Sequence, residues 1–275
     1  MFKIFQNRLY YLVILTFFKL ISFSCFANKG EDVLSHPLFL SVSGSGGARI
    51  NEDDSYLINP ALLAFHKKKK LTFSYSFKKN QQIALLSVVD NKRLFPMAIS
   101  YQRFWSHSFQ EGAENVIFFS SSFKTSPFLS FGLNIERNLN PFFWNASIGS
   151  FLRFNSHFSG AVFLDKILIE KGKNLRTLSF ATFYRWRNFF SIQGDLSRSA
   201  RKEWIFKTAV ESLFYSFFSV QLGTLLVMKD RDQKIQRRVI SGGINFYSPR
   251  FLLKYGLQQS TQKSYQHGLT LLIRF

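Results

Sequence analysis

The sequence predicts an all-β fold: a transmembrane antiparallel β-barrel of about 14 strands, with a short N-terminal hatch or helix segment in or under its lumen. Three observations support this prediction. The 275-residue chain contains 35 Phe. Apolar and polar residues alternate in repeated segments of about ten residues, as in membrane strands. After the N-terminal 27 residues, no apolar run is long enough for a membrane helix. A closed barrel is then the way to pair every backbone polar group in lipid.

Composition excludes several other classes of protein. With 46% apolar residues the chain is too hydrophobic for disorder, and its single cysteine excludes a disulfide scaffold. The five histidines lack metal-ligand spacing, and neither a nucleophile elbow nor a phosphate loop occurs. We therefore expect no cofactor and no enzyme activity. The net charge of +20 does not indicate a nucleic-acid partner, because the chain has the features of an exported barrel.

The first 27 residues have the pattern of a secretory signal peptide. Lys3 and Arg8 provide the positive n-region, residues 12–26 are mostly apolar, and Ala27 is the small residue at the expected cleavage site. The alternative is a membrane anchor helix. Cleavage after Ala27 would leave a hatch segment at 28–69 and a barrel at 70–275.

The predicted strands follow one another with short gaps between them. Apolar residues occupy alternate positions, and small or polar residues lie between them. Asp165 and Lys166 interrupt the pattern of the seventh segment. The fourteen predicted strands are 70–79, 81–90, 94–104, 115–124, 127–137, 142–154, 157–168, 174–186, 188–197, 202–214, 217–228, 235–247, 249–258 and 264–275.

An even number of strands places both ends of the barrel's polypeptide chain on the periplasmic side. We expect short turns after the even-numbered strands and longer loops after the odd-numbered ones. The last strand carries Leu271, Ile273 and Phe275 at alternate positions. This terminal aromatic strand resembles the assembly signal of bacterial outer-membrane barrels, so the barrel-assembly machinery is an expected partner.

The segment before the first strand carries a compact motif. Glycines Gly46 and Gly47 precede the acidic pair Asp53 and Asp54, and the run 59–61 follows as Asn59, Pro60 and Ala61. Pro60 suits the first turn of a short helix that Asn59 would cap. The helix would have apolar faces. The alternative is a plain periplasmic linker.

This motif resembles the opening of the outer-membrane long-chain fatty-acid transporter (FadL-like) superfamily, and most of all its branch of PorV- and PorQ-like proteins. Short stretches at 193–195, 210–211, 220–223, 241–244 and 267–269 are also similar to that branch. The chain departs from the pattern at Leu62 and Ala209, where glycines are expected. The resemblance implies a 14-stranded barrel in the bacterial cell outer membrane, with the N-terminal segment tucked into its lumen.

Charged residues are predicted on both sides of the wall. Those at lumen positions are Lys78, Lys124, Glu136, Arg153, Arg185, Asp195, Lys207, Glu211, Lys254 and Arg274. Pairs between Asp195 or Glu211 and Lys207 or Lys254 are expected to stiffen the wall; the alternative is that the surplus of positive charge favours an anionic solute. The predicted outer loops hold Lys171, Lys173, Arg198, Arg201, Lys202, Lys229, Arg231, Lys234, Arg237, Arg238 and Lys263. Such loops would attract lipopolysaccharide-like phosphates of the outer leaflet.

Three functions are compatible with these features. The leading hypothesis is passage of a hydrophobic or amphipathic solute across the outer membrane, with a hydrophobic ligand in the lumen and no covalent chemistry. A second is a non-transporting barrel that acts as a docking or secretion accessory, as in PorV-like proteins. A remote third is an outer-membrane lipid hydrolase, for which the adjacent Ser156 and His157 are the residues considered.

Overall fold

The computed structural model describes residues 42, 44–49, 55–78, 81–91, 95–106, 114–139, 142–167, 176–187, 189–200, 202–214, 217–229, 235–261 and 264–275. The predicted signal peptide at 1–27 and the acidic pair Asp53 and Asp54 lie outside the described residues. Among the described residues, no helix is long and apolar enough to cross a membrane.

The described chain forms a closed barrel of fourteen antiparallel strands. Each strand pairs with its neighbours in sequence, and β1 pairs with β14 to close the sheet. The strands are β1 (Lys70–Lys78), β2 (Gln81–Asp90), β3 (Met97–Ser106), β4 (Glu114–Lys124), β5 (Leu129–Leu139), β6 (Phe142–Arg153), β7 (Phe158–Asp165), β8 (Thr177–Trp186), β9 (Phe190–Ser199), β10 (Glu203–Phe214), β11 (Phe218–Lys229), β12 (Ile235–Tyr247), β13 (Phe251–Ser260) and β14 (Tyr265–Arg274). The predicted fold class and strand number are confirmed.

The seventh strand is the shortest, as the interruption in its pattern suggested. It ends at Asp165, and Lys166 adopts a φ of 57°. The Asp165 carboxylate accepts hydrogen bonds from the Lys166 N–H and from Ser147 Oγ. A side chain that binds its own following backbone competes with the ladder, which accounts for the end of the strand.

The two faces of the wall differ in the way that the alternation predicts. Large apolar side chains point outward and remain exposed: Phe73, Ile99, Phe119, Leu133, Phe180, Ile244 and Leu269. Small or polar side chains on the same strands point into the lumen and are buried: Ser74, Ser100, Ser120, Asn134, Ser179, Asn245 and Thr270. An apolar outer surface on a closed sheet is the arrangement of a membrane-spanning barrel, because acyl chains cover that surface.

The two ends of the barrel can be told apart by their connections. We call the end where β1 begins and β14 finishes the terminal end; the opposite end is the loop end. The connections at the terminal end are all short: 91–96, 125–128, 154–157, 187–189, 215–217 and 248–250. The loop end holds the longest connections, 107–113 and 166–176, but only two residues, 79–80 and 140–141, separate the strands at two other places. The predicted asymmetry is therefore only partial, because Lys78 pairs with Gln81 and Leu139 with Phe142 across two-residue hairpins.

We call the described N-terminal residues, 42, 44–49 and 55–69, the hatch segment. Its residues up to Phe65 lie inside the barrel, whereas Lys67 and Lys68 are exposed at the terminal end. Two short 3₁₀ helices form within it, η1 (Ser55–Leu57) and η2 (Pro60–Phe65). Every residue of η2 is buried. The predicted cap is confirmed, because the Asn59 side chain accepts a hydrogen bond from the Ala61 N–H at 3.1 Å. A plain linker beneath the barrel does not fit this burial.

Candidate functional site: a filled lumen above a basic cavity

Asn59 attaches the hatch segment to the wall. Its Nδ2 donates to the Gly47 carbonyl at 2.9 Å, within the segment, and to the Ser150 carbonyl of β6 at 3.2 Å. Two luminal glycines make room for this contact. A Cβ on Gly132 would lie 2.3 Å from the Pro60 carbonyl carbon, and one on Gly149 would lie 2.0 Å from Asn59 Oδ1. Gly132 leaves room for the backbone at Pro60 and Ala61, and Gly149 leaves room for the Asn59 side chain.

The glycine run of the hatch segment binds the opposite side of the lumen. The N–H groups of Gly46 and Gly47 donate to the Asp195 carboxylate at 3.1 and 3.2 Å. Lys207, which lies directly opposite Asp195 on the neighbouring strand, donates from Nζ to the Gly44 carbonyl at 3.3 Å. Consecutive backbone N–H groups form a concavity for an anion, and here a wall carboxylate fills it.

The Glu211 carboxylate is the most connected polar group in the described lumen. One oxygen accepts from Ser219 Oγ at 2.7 Å, Tyr247 OH at 2.9 Å and Gln221 Nε2 at 3.0 Å. The other oxygen accepts from Arg49 of the hatch segment. The ion pair of Glu211 is therefore made with the hatch segment rather than with the wall lysines that the sequence favoured. The physical reason is that the hatch segment fills the lumen and brings Arg49 to the Glu211 carboxylate.

Apolar packing completes the filling of the lumen. Leu62 and Phe65 of η2 join a buried cluster with Phe151, whose ring centroid lies 4.9 Å from that of Phe65. On the other side, Tyr56 and Leu63 pack against Val89 and Ala98. Tyr56 OH also bonds Ser87 Oγ and Ser100 Oγ. The hatch segment is thus held by apolar contacts and by hydrogen bonds to several strands.

A cavity of about 1050 Å³ lies below the hatch segment, at the terminal end. Aromatic and other apolar residues make up much of its wall, among them Phe65, Phe158, Phe183, Leu213 and Phe217. This volume is at the upper end of the range of small-molecule sites, which are mostly apolar with a few placed polar groups.

The same cavity is lined by six cationic side chains and one carboxylate. The carboxylate is Glu211, which Arg49 already pairs. The ion pairs among the described residues are Arg49–Glu211 and Lys69–Asp90, so no described carboxylate pairs with Lys67, Lys124, Arg153 or Arg185. Arg185 lies close enough to Arg49 and Arg153 for their charges to repel. This concentration of like charge beside aromatic rings creates a place for an acidic group.

The structure distributes the residues singled out from sequence over several places. Arg153, Arg185 and Arg274 line the cavity, whereas Asp195 and Lys207 hold the hatch segment. Lys254 is buried at the inner face, where its charge acts on Glu211. On β14, Leu271 and Ile273 face outward, and Phe275, just after the strand, is 73% exposed.

The basic residues assigned to outer loops are partly in strands. Arg198, Lys229, Arg237 and Arg238 lie within β9, β11 and β12, because these strands extend further toward the loop end than predicted or include the charged residues at their start. Lys202 lies in the short connection before β10. The remaining ones lie outside the described residues: Lys171, Lys173, Arg201, Arg231, Lys234 and Lys263.

Sequence reasoning did not identify Arg49, Tyr56 or Ser45 as functional residues. Gln193 Nε2 donates to Ser45 Oγ at 2.9 Å, so this serine too joins the hatch segment to the wall. A detectable signal existed only for the glycines: Gly132 and Gly149 occupy lumen positions directly opposite each other on β5 and β6. Among the described residues, no group of His, Cys, Asp and Glu side chains is placed to hold a metal ion.

No family model and no curated protein matches this sequence. Solved structures do match. CymD, a monoaromatic hydrocarbon channel, has 10% identity and a TM-score of 0.72 over 87% of this chain and 97% of its own. The Ralstonia pickettii toluene transporter TbuX has 10% identity and a TM-score of 0.66 over 93% and 100%. A Pseudomonas aeruginosa FadL homologue has 10% identity and a TM-score of 0.62 over 92% and 99%.

These likenesses cover nearly the whole barrel on both sides of each comparison. At such low identity they concern the fold, and they do not test the predicted PorV-like branch, which stays a prediction. A closed barrel of fourteen strands with its N-terminal segment in the lumen is what the resemblance of the sequence implied. The chain has the fold of FadL-like outer-membrane transport proteins.

Proposed function

We propose that this barrel lies in the bacterial outer membrane and passes a hydrophobic or amphipathic solute through its lumen, without covalent chemistry. The cavity below the hatch segment is the observation that carries the proposal, because it combines aromatic walls with Lys67, Lys124, Arg153 and Arg185, which pair with no described carboxylate. The predicted signal peptide and the apolar outer face support the location.

The lining of the cavity suits a solute with two parts. Aromatic side chains such as Phe65 and Phe183 would bury an apolar body, and Arg153 and Arg185 would bind an acidic group where one is present. CymD is a monoaromatic hydrocarbon channel and TbuX a toluene transporter, which supports an apolar body. The surplus positive charge favours amphipathic anions over neutral solutes of equal size.

Passage through the lumen requires the hatch segment to move, since it lies between the cavity and the loop end. Its polar attachments are separate hydrogen bonds and one ion pair, and these groups can bond to water instead when the segment shifts. We therefore expect the solute path to open by displacement of the hatch segment, and a covalent link between segment and wall to close it.

A cysteine pair tests this mechanism directly. Ser159 Oγ donates to the Ala48 carbonyl at 2.7 Å, so A48C with S159C is the pair chosen to join the hatch segment to β7, with formation of the disulfide checked by loss of free thiols. The matched control is S74C with T270C, which joins two wall strands whose side-chain oxygens lie 2.8 Å apart. Each variant is reconstituted in phosphatidylcholine vesicles, and uptake of a fluorescent long-chain fatty acid is measured against protein-free vesicles.

The expected result is uptake by the unmodified protein and by the oxidised control pair. The oxidised A48C/S159C protein should show background uptake, and reduction should restore it. Absence of uptake above background in every reduced sample would reject the transport proposal. Equal uptake by the oxidised and reduced hatch variants would reject displacement of the hatch segment.

A docking or secretion accessory is the second candidate, and the filled lumen favours it. The hatch segment is buried on several sides, so a barrel that never opens would be stable as it stands. Such a protein should co-purify with a stable partner and show no fatty-acid uptake in the vesicle assay. The C-terminal strand would still engage the barrel-assembly machinery, as Phe275 is available at the terminal end.

We propose that catalysis is not the role of the Ser156–His157 pair. Both lie in the exposed β6–β7 turn, and His157 Nδ1 contacts the Arg185 carbonyl at 3.1 Å rather than the neighbouring serine. A lipid hydrolase reading would require S156A or H157A to abolish lipid cleavage by the purified protein. We expect no cleavage in the unmodified protein.

A further inference from the structure

Three arginines lie on the outer face of the barrel near its loop end. They are Arg103 on β3, Arg137 on β5 and Arg198 on β9, each among the last residues of its strand toward that end. Their neighbours in sequence point the other way: Gln102, Asn138 and Ser197 are buried in the lumen. The three guanidinium groups therefore stand at the lipid-facing side.

Each of these arginines stacks on aromatic side chains of the same surface. The guanidinium carbon lies 5.1 Å from the Trp105 ring for Arg103 and 5.0 Å from the Trp204 ring for Arg198. Arg137 lies between two rings, 4.6 Å from Phe142 and 4.9 Å from Trp144. Stacking holds a planar guanidinium against the wall and leaves its N–H edge to meet a ligand.

The surroundings of Arg103 and Arg137 favour an anion. The described ion pairs include neither Arg103 nor Arg137. Arg137 Nε is shielded from solvent and has no hydrogen-bond partner among the described residues. A charge at the lipid-facing surface is costly toward the middle of the bilayer and tolerable near the headgroups, where phosphates can pair with it. Tryptophan favours the same level of the membrane.

We propose that Arg103, Arg137 and Arg198 form an arginine girdle that binds the phosphate groups of the outer-leaflet glycolipid, with the loop end facing outward. The tryptophan rings beside the arginines would sit at the boundary between acyl chains and headgroups. The guanidinium edges would form paired hydrogen bonds to phosphate oxygens. This inference does not depend on solute passage, because a barrel that transports nothing must be held at the same position in the outer leaflet.

The test compares two triple variants of the full barrel in detergent micelles. R103Q/R137Q/R198Q removes the girdle, and K68Q/R187Q/R250Q removes the same charge from the terminal end. The control includes an arginine stacked on tryptophan, since Arg187 lies 5.9 Å from the Trp186 ring. Binding of bisphosphorylated lipid A, its dephosphorylated form and phosphatidylglycerol is measured by native mass spectrometry.

We expect the girdle variant to bind bisphosphorylated lipid A more weakly by on the order of a hundredfold, given three lost arginine contacts at the headgroup level. The terminal-end variant should stay within about threefold of the unmodified protein. R103K/R137K/R198K should fall between them, because lysine keeps the charge but loses the planar stacking and the paired hydrogen bonds. If R103Q/R137Q/R198Q fails to fold, the proposal is tested by comparing lipid A binding of R103K/R137K/R198K with that of the unmodified protein.

Three outcomes would overturn the proposal. The first is equal binding of lipid A by the girdle variant and the unmodified protein. The second is an equal loss in the terminal-end variant, which would mean that net charge alone matters. The third is undiminished binding of dephosphorylated lipid A, or equally tight binding of phosphatidylglycerol, either of which would remove the phosphorylated glycolipid as the preferred ligand.

Discussion

The inner and outer faces of the same strands use opposite chemistry for opposite partners. On β5, the outward Leu133 is 44% exposed, whereas the neighbouring Asn134 is 4% exposed in the lumen. The polar face is the buried one, because the hatch segment and the facing wall cover it. The apolar face is exposed, and lipid acyl chains would cover it. Burial in this molecule therefore follows the position of the hatch segment and not the hydrophobicity of the side chain.

The two faces also differ in how specific their contacts are. Acyl chains accept any apolar side chain, so residues on the outer face can be exchanged within that class. A buried polar group on the inner face needs a particular partner, because an unpaired one carries a desolvation penalty. Substitutions should therefore act through loss of a named partner inside and through loss of apolar character outside.

The largest effect is expected inside, at the ion pair of Glu211. E211A would leave the Arg49 guanidinium, whose side chain is 8% exposed, without its carboxylate. Breaking one half of a buried pair costs about 3–5 kcal/mol. We expect that loss in the free energy of unfolding, together with faster tryptic cleavage after Arg49 in the folded protein.

The matched control for this prediction is E203A, at the start of β10, which lies on the same strand and carries the same charge. Its unfolding free energy should stay within about 0.5 kcal/mol of the unmodified protein. Equal destabilisation of both variants would show that the net charge of the barrel matters rather than the Arg49–Glu211 pair.

The fold could be predicted from sequence much further than the site. Period-two alternation is local, and on β8 it orients Phe180 outward and Ser179 inward without reference to any other strand. The partner of Glu211 has no such local mark. Arg49 is 162 positions away, and only the path of the hatch segment through the lumen brings the two together.

Loop-end boundaries were the least predictable part of the wall. The strands continue into charged residues at the loop end, so a residue such as Arg198 resembles a loop residue although it belongs to β9. The motif at Asn59 and Pro60 could be placed on a helix because capping is also local. Its contact with Gly149 depends on a register between distant segments, which no short pattern encodes.

The next effect concerns the outer face. Leu133 lies near the middle of β5, so L133R would place a charge near the bilayer midplane, at a cost of about 2–4 kcal/mol. L139R, on the same strand at its loop end, should cost only about 0–1 kcal/mol. Both free energies can be measured by reversible unfolding in phospholipid vesicles. Equal costs at the two positions would contradict the lipid-facing assignment of β5.

A smaller effect is expected where the wall approaches the hatch segment. G149A would bring a Cβ within 2.0 Å of Asn59 Oδ1, so the segment must shift or the strand must bend. Overpacking of this kind costs about 1–3 kcal/mol. We expect this loss in the free energy of unfolding. We also expect faster fatty-acid uptake by vesicles that contain the variant, because the hatch segment is displaced.

The control for this prediction is G194A, on β9. An added Cβ there meets its nearest atom, Thr182 Oγ1, at 3.8 Å, which is an ordinary contact. Neither stability nor uptake should change measurably. A destabilised G194A with an unaffected G149A would mean that the hatch segment does not lie against β6.

The smallest effect separates wall hydroxyls that hold the hatch segment from those that hold only the wall. Ser130 Oγ donates to the Ala61 carbonyl at 2.8 Å, and Ser74 Oγ bonds Thr270 Oγ1 at the same distance. Each alanine substitution should cost about 1 kcal/mol, the usual net value of one hydrogen bond. Only S130A should speed hydrogen exchange in η2, because only its bond reaches the hatch segment. Equal exchange rates in the two variants would mean that η2 is held by apolar packing alone, and the inner face would then differ from the outer face less than its polar side chains suggest.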